Sequence, residues 1–488
     1  MNNNRRQVPR VLIFLRKGAW FYPLLFIAAV FLIGYNLSDY NASWIHFEIK
    51  QRHLPYVAAD GPGLAWNIIP KIFNFRLFDT ISQARFLSHA FNILNIHFRL
   101  LLYDFFPPPP GISFTGLLSL IITPFAIFRL LKNISGRRDS AWAGLLLYFL
   151  STGFLSGFFM LFHPAKPLMN LLAVLCLYFA SRISSRPDNR LSRYYWLMLT
   201  ALLLAFLTDP TSLIIFLTVP LFFPAVLTVA RNRAKSLGFY LLPLILFALS
   251  VSFIFPLIIR HFGYGEYNFW GETFLKPMYP DYAQQTEELW SAFRFDNVAV
   301  NVANLFRSQF VVRQGDKFPL LLNLFSCILL PTYCLLMFFN LDLRRRKLLL
   351  RLLIALIVFF VIQTFIQGKH LQVISSSYYY GSLFPIYFVS PLALILSGEK
   401  PCRFWRGRIL ILAILVVFTQ AFFRINREWR DYHGGTHNLS ASEVFAVWLN
   451  RHDQLSLSDL RSQYTREASW LFQELQYSLR EPAGKKLD

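Results

Sequence analysis

The sequence predicts an all-α, polytopic membrane protein, and three observations carry the prediction. Of the 488 residues, 55% are hydrophobic and only 15% charged, and the mean hydropathy is positive. Apolar runs recur at lengths suited to a hydrocarbon layer, which takes about 20 residues per helix. The connections between them alternate in character, short and strongly basic on one side, long and nearly neutral on the other.

Taken in order, these runs predict about eleven transmembrane helices. The first, Trp20–Gly34, follows a basic start and lacks a small-residue cleavage site, so a retained anchor is expected. A first outer loop covers 35–111 and ends in Pro107 to Pro110. Within it FNFRLFDTISQARFLSHAFNILNIHFRLLLYDFF repeats apolar residues at helical spacing among Arg76, Arg85 and Arg99, a pattern for helices lying along a membrane surface. Six spans follow at Ile112–Leu131, Ala141–Phe162, Leu168–Ser181, Tyr194–Thr208, Thr211–Ala230 and Leu237–Ile259. A second long outer loop occupies 260–317, then spans at Phe318–Asn340, Leu348–Ile366, Gly381–Ser397 and Ile409–Phe423. The organisation is a transmembrane module over 1–424 and a small extracytoplasmic tail over 425–488, where SEVFAVWLNRH and YTREASWLFQELQYSLRE predict two short amphipathic helices.

Charge orients the bundle. The short connections hold 25 of the 48 Lys and Arg but only four of the 26 acids, namely Asp139, Asp188, Asp342 and Glu399. They therefore carry +21 of the net +22 and are expected in the cytoplasm with the N-terminus, leaving the C-terminus extracytoplasmic. Orientation uses the whole positive excess, so no basic patch remains for nucleic acid. The expected setting is the bacterial inner membrane, with the bilayer as the first partner. No GxxxxGK[ST] loop is present, which argues against an ATP-driven pump. No internal repeat of the kind common in secondary transporters is visible. Cys176, Cys327 and Cys334 fall inside spans and Cys402 on the cytoplasmic side, which suits packing rather than disulfides. Sequons such as those at Asn41, Asn133 and Asn438 do not decide between bacterial and eukaryotic membranes.

This layout of spans, with a long first outer loop carrying surface helices and a second between spans seven and eight, resembles the GT-C superfamily of membrane glycosyltransferases. Protein O-mannosyltransferases and the aminoarabinose transferase of lipid A are members. The resemblance implies a polyprenyl-phosphate-linked sugar as donor and transfer on the extracytoplasmic face to a glycan, lipid or protein acceptor. It also implies an acid beyond the first span acting as base or as ligand to a divalent metal ion. Asp39 stands at that place, although the adjacent second acid of many members is missing and Glu48 is the next in line. A carboxylate there takes a proton or holds a metal beside the anomeric carbon; the plain alternative is a helix cap or a solvated loop.

A donor phosphate needs cations at the membrane boundary. His163 and Lys166 lie in the tight outer turn FHPAKPL, Arg260 and His261 at the outer end of span seven, and Lys369 and His370 in IQGKHLQVISSSYYYG. Lysine also snorkels to headgroups, and that reading of Lys166 stands beside the first. The IQGKHLQVISSSYYYG stretch resembles the final outer loop of GT-C enzymes, which precedes a YxxP-like apolar helix, here Tyr380-Gly381-Ser382-Leu383-Phe384-Pro385; Tyr378, Tyr379 and Tyr380 suit an interfacial aromatic belt more than a sugar platform. Arg85 shares a helical face with Ser88 and His89 and reaches either a donor phosphate, Asp39 or lipid headgroups. Asp209, in LLAFLTDPTSLIIF, reads first as a helix cap ahead of Pro210 and second as a functional acid between apolar spans. The aromatic and acidic segment GYGEYNFWGETFLKPMYPDY is expected to select the acceptor. Rival classes are an integral-membrane oligosaccharide polymerase or ligase, a lipid-linked-sugar flippase or transporter without chemistry, and a GT-C scaffold that has lost catalysis.

Overall fold

The computed structural model describes residues 114–149, 165–184, 193–229, 233–261, 341–367 and 382–398, with single residues at 151, 154 and 339 and parts of 85–98. Among them the backbone is helical throughout, with no strand. Nine α-helices are named here in chain order: α1 Phe114–Ser135, α2 Arg138–Phe149, α3 Ala165–Ser184, α4 Arg193–Thr208, α5 Leu213–Phe222, α6 Arg233–Leu249, α7 Phe255–His261, α8 Leu343–Gln367 and α9 Phe384–Leu396. Three stretches, Phe114–Ser135, Lys166–Ser184 and Ala234–Leu257, are long and apolar enough to cross a membrane. The expected first and eleventh spans lie outside the described residues, as does the eighth apart from Phe339.

Proline and glycine decide where these helices break. α1 stops at Gly136, whose φ of 72° is the left-handed conformation that ends helices, and its amide closes on the Lys132 carbonyl at 2.8 Å. The span expected at 141–162 is interrupted, because α2 ends at Phe149 and Ser151 bends the chain. There Ser151 Oγ donates to the Tyr148 carbonyl at 2.6 Å, replacing a helical bond with a local one. The span expected at 211–230 is broken too: α5 ends at Phe222, and Pro224 opens a 3₁₀ turn, Pro224–Thr228. Within α5, Pro220 has no amide to offer the Phe216 carbonyl; the Tyr240 hydroxyl of α6 donates to it instead at 2.5 Å. Between α6 and α7 a π turn, Ser250–Ile254, widens the helix just before Pro256.

The helices form one layered bundle. α3 packs between α1 and α4; α9 packs against both α2 and α8; α5 sits against α8 and α6 against α4. At Gly144 on α2 any added Cβ would stand 2.7 Å from Leu131 and 2.9 Å from Val389, so α1, α2 and α9 meet there at a separation only glycine allows. Buried hydroxyls cross-link the interior, Thr218 Oγ1 lying 2.5 Å from the Tyr387 hydroxyl, and Phe359 stacks on the same tyrosine. Large apolar side chains remain exposed on the periphery, including Phe253, Leu257 and Ile357. A soluble surface rarely leaves so much apolar area open, whereas lipid covers it without cost.

Helix ends align at two levels. Asn133 Nδ2 donates to Ser181 Oγ at 2.8 Å and Arg345 Nη1 to the Ser397 carbonyl at 2.9 Å. These bonds gather the ends of α1, α3 and α9 and the start of α8 into a basic end. The opposite end, where α1, α3 and α9 begin and α4 finishes, is the polar rim.

Candidate functional site

The polar rim is where charge enters the apolar bundle. Lys166 stands in the first turn of α3, a location fixed by Pro167 beside it, and its side chain is 2% exposed. Asp209 follows the last residue of α4 and is fully buried. Its Oδ1 accepts the Thr211 amide at 2.9 Å, the cap expected at a Thr-Asp-Pro start. Its Oδ2 faces elsewhere, 2.7 Å from Lys166 Nζ and 3.3 Å from Arg85 Nη2. Lys166 Nζ also donates to Thr211 Oγ1 at 2.9 Å, and Thr211 Oγ1 donates in turn to the Met169 sulfur at 3.1 Å.

Two cations thus share one carboxylate oxygen. Burial alone pushes Asp209 up, but the charges of Arg85 and Lys166, with bonds from Lys166 and the Thr211 amide, hold its carboxyl well below the usual carboxylate range. Within the cluster Lys166 and Asp209 are buried, whereas Arg85 is 22% exposed and Thr211 is part-buried, so these two lie toward the exterior. One residue beyond Thr211, the fully buried Ser212 hydroxyl has no hydrogen-bond partner among the described residues.

The segment bearing Arg85 is seated on this rim. Helical backbone is described at 86–88 and at Ala90, Phe91, Leu94, Asn95 and Phe98. Phe86 stacks on Phe255 of α7, and Phe91 and Phe98 pack on Phe114. Leu87 and Phe91 also cover the start of α3 at Leu168, Leu171 and Leu172. Asn95 Oδ1 accepts the Thr115 amide at 3.0 Å, satisfying one of the orphan donors that begin α1. One turn below Lys166, Asn170 accepts Ser382 Oγ at 3.3 Å, which ties α3 to the start of α9.

Of the residues singled out in the sequence, Arg85 and Lys166 are brought together. Arg260 is exposed on the last turn of α7, and no hydrogen bond or ion pair joins it to a described residue. Asp39, Glu48, His163, Lys369, His370 and Tyr380 lie outside the described residues, as does His89, while Ser88 is buried beside Arg85. Among the described residues no three His, Cys, Asp or Glu gather as metal ligands would. Cys176 is buried and unbridged.

No family model matches this chain, and no curated protein does. Its chemistry is therefore read from the rim alone.

Sequence reasoning placed Lys166 and Asp209 in two tight turns on the same side but did not pair them. The signal was available, since opposite charges at equal depth in an apolar bundle gain by meeting.

Proposed function

We propose that this chain is an eleven-span, GT-C-like membrane glycosyltransferase, transferring a sugar from a polyprenyl-phosphate donor to an acceptor on the extracytoplasmic face. The observation that carries the reading is the convergence of Arg85 and Lys166 at the polar rim. Two segments 81 residues apart in sequence, each read as facing a lipid phosphate, reach the same carboxylate oxygen. Charge-assisted bonds from such a pair favour a phosphate that stays at the boundary while its polyprenyl tail lies in the bilayer. In this reading Arg85 is the outward contact, Lys166 supplies charge from behind, Asp209 fixes both, and Asp39 or Glu48 is the base or metal organiser.

The test is transfer of radiolabelled sugar from a polyprenyl-phosphate donor by the purified protein. Wild type should transfer label, and Asp39→Asn should abolish transfer in a protein that still folds. Transfer at the wild-type rate would remove Asp39 from the mechanism. Arg85→Gln should raise the KM for the donor about tenfold to 100-fold, the loss of one hydrogen bond to a charged group.

One observation favours a second reading as a flippase. Asp209 and Lys166 are buried beside α5, which is broken at both ends, and ionisable groups at broken helices mark translocation paths. In proteoliposomes a flippase moves labelled donor to the far leaflet without forming a product, which separates the two.

A further inference from the structure

The basic end carries an exposed cationic face on α8. α8 begins with Arg344, Arg345, Arg346 and Lys347 and adds Arg351 two turns later. Arg345 is turned inward, to the Ser397 carbonyl at 2.9 Å and to Asp342 at 3.8 Å. Arg346 holds the Phe339 and Leu341 carbonyls, each at 2.9 Å. Arg344, Lys347 and Arg351 are exposed and have no ion pair or hydrogen bond with a described residue. Their spacing of three and four residues puts them on one face of the helix.

That face continues as hydrocarbon. Leu350 and Ile357 are each 60% exposed and Val361 53%, with Ile354 between them. From Arg351 to Val361 the helix rises about 15 Å, half of a hydrocarbon core of about 30 Å. On the inward side Gly136, in the turn between α1 and α2, approaches Arg345 Nη2, so the start of α8 is anchored there and its exposed cations face outward. The acid nearest in sequence, Asp342, already serves Arg345 and the amide that caps α8.

We propose that this face of α8 binds an anionic phospholipid of the leaflet at the basic end. Arg344, Lys347 and Arg351 hold the headgroup phosphate, and an acyl chain lies along Leu350, Ile354, Ile357 and Val361. Charge complementarity selects the headgroup, and the apolar ladder continuing from the cations selects a lipid over a nucleic acid or an acidic peptide. The occupant is a resident of the bilayer, distinct from any donor at the rim.

The experiment uses the purified full chain in a neutral detergent with fluorescent phosphatidylglycerol, and phosphatidylcholine as control. Phosphatidylglycerol should be retained at least tenfold better. The R344Q/K347Q/R351Q variant should bind it about 100-fold more weakly, about fivefold for each cation, while its lipid-free unfolding midpoint stays put. Ile357→Ser should weaken phosphatidylglycerol binding and leave weak binding of soluble glycerol phosphate unchanged. Equal retention of the two lipids, full binding by the triple variant, or displacement of phosphatidylglycerol by an equal concentration of glycerol phosphate or a short oligonucleotide would overturn the proposal.

Discussion

Asp209 is the residue on which the rim turns, because one of its oxygens serves two cations while the other holds the backbone of the next helix. Removing one member of a buried charged group strands the rest, at a cost of about 3–5 kcal/mol. Asp209→Asn should therefore lower stability by that order in a detergent unfolding assay. Adding Lys166→Met should recover part of the loss, since fewer buried cations are left without an anion. Acidity offers a second readout. The Asp209 carboxyl is depressed in the folded protein, so its contribution is complete above the ordinary carboxylate value of about 3.9 and is lost as pH falls below it. Wild type should destabilise on acidification from about pH 5 downward, and Asp209→Asn should lack that component. An identical pH slope in both proteins would show that the charge does not stabilise the fold.

At the scale of elements, the bundle repairs its own proline breaks. Tyr240 of α6 supplies the hydrogen that Pro220 withholds from the Phe216 carbonyl, so two helices are joined by a backbone defect. Tyr240→Phe should cost about 1–3 kcal/mol, the penalty of a buried carbonyl without a donor. In a Pro220→Ala background the same change should cost clearly less, because an alanine at that position brings its own amide; equal losses would mean that the hydroxyl matters for another reason. Which helices break was only partly legible in the sequence. Pro224 announces the end of α5, whereas the bend at Ser151 rests on a serine bonding its own backbone, which hydropathy does not register. Among the described residues most helix positions were legible, because long apolar runs favour helices that can span a bilayer. The Arg85–Asp209–Lys166 group was not, since its members lie on three segments and only the packed bundle sets their distances.

At the scale of the whole molecule, the two ends differ in kind. One gathers Arg345, Arg346 and Lys347 with the α1–α2 turn, and the other gathers Arg85, Lys166 and Asp209 under a segment of aromatic residues. By the charge rule we propose that the first faces the cytoplasm. In a protein with its four cysteines replaced, Arg344→Cys and Arg260→Cys should respond oppositely to a membrane-impermeant maleimide applied to intact cells. Only position 260 should label; labelling at 344 instead would invert the bundle and move the rim to the inside.

The widened turn at Ser250–Ile254 shapes that rim from a distance. It admits one more residue than a regular helix of the same rise, so everything after it is rotated by about 100°. Phe255, the platform for Phe86, is the first side chain past the turn. Shortening Ser250–Ile254 by one residue would swing that ring away from Phe86, and Arg85, next in the chain, would lose its footing over Asp209. A single backbone irregularity thus sets the angle at which the segment bearing Arg85 meets the bundle.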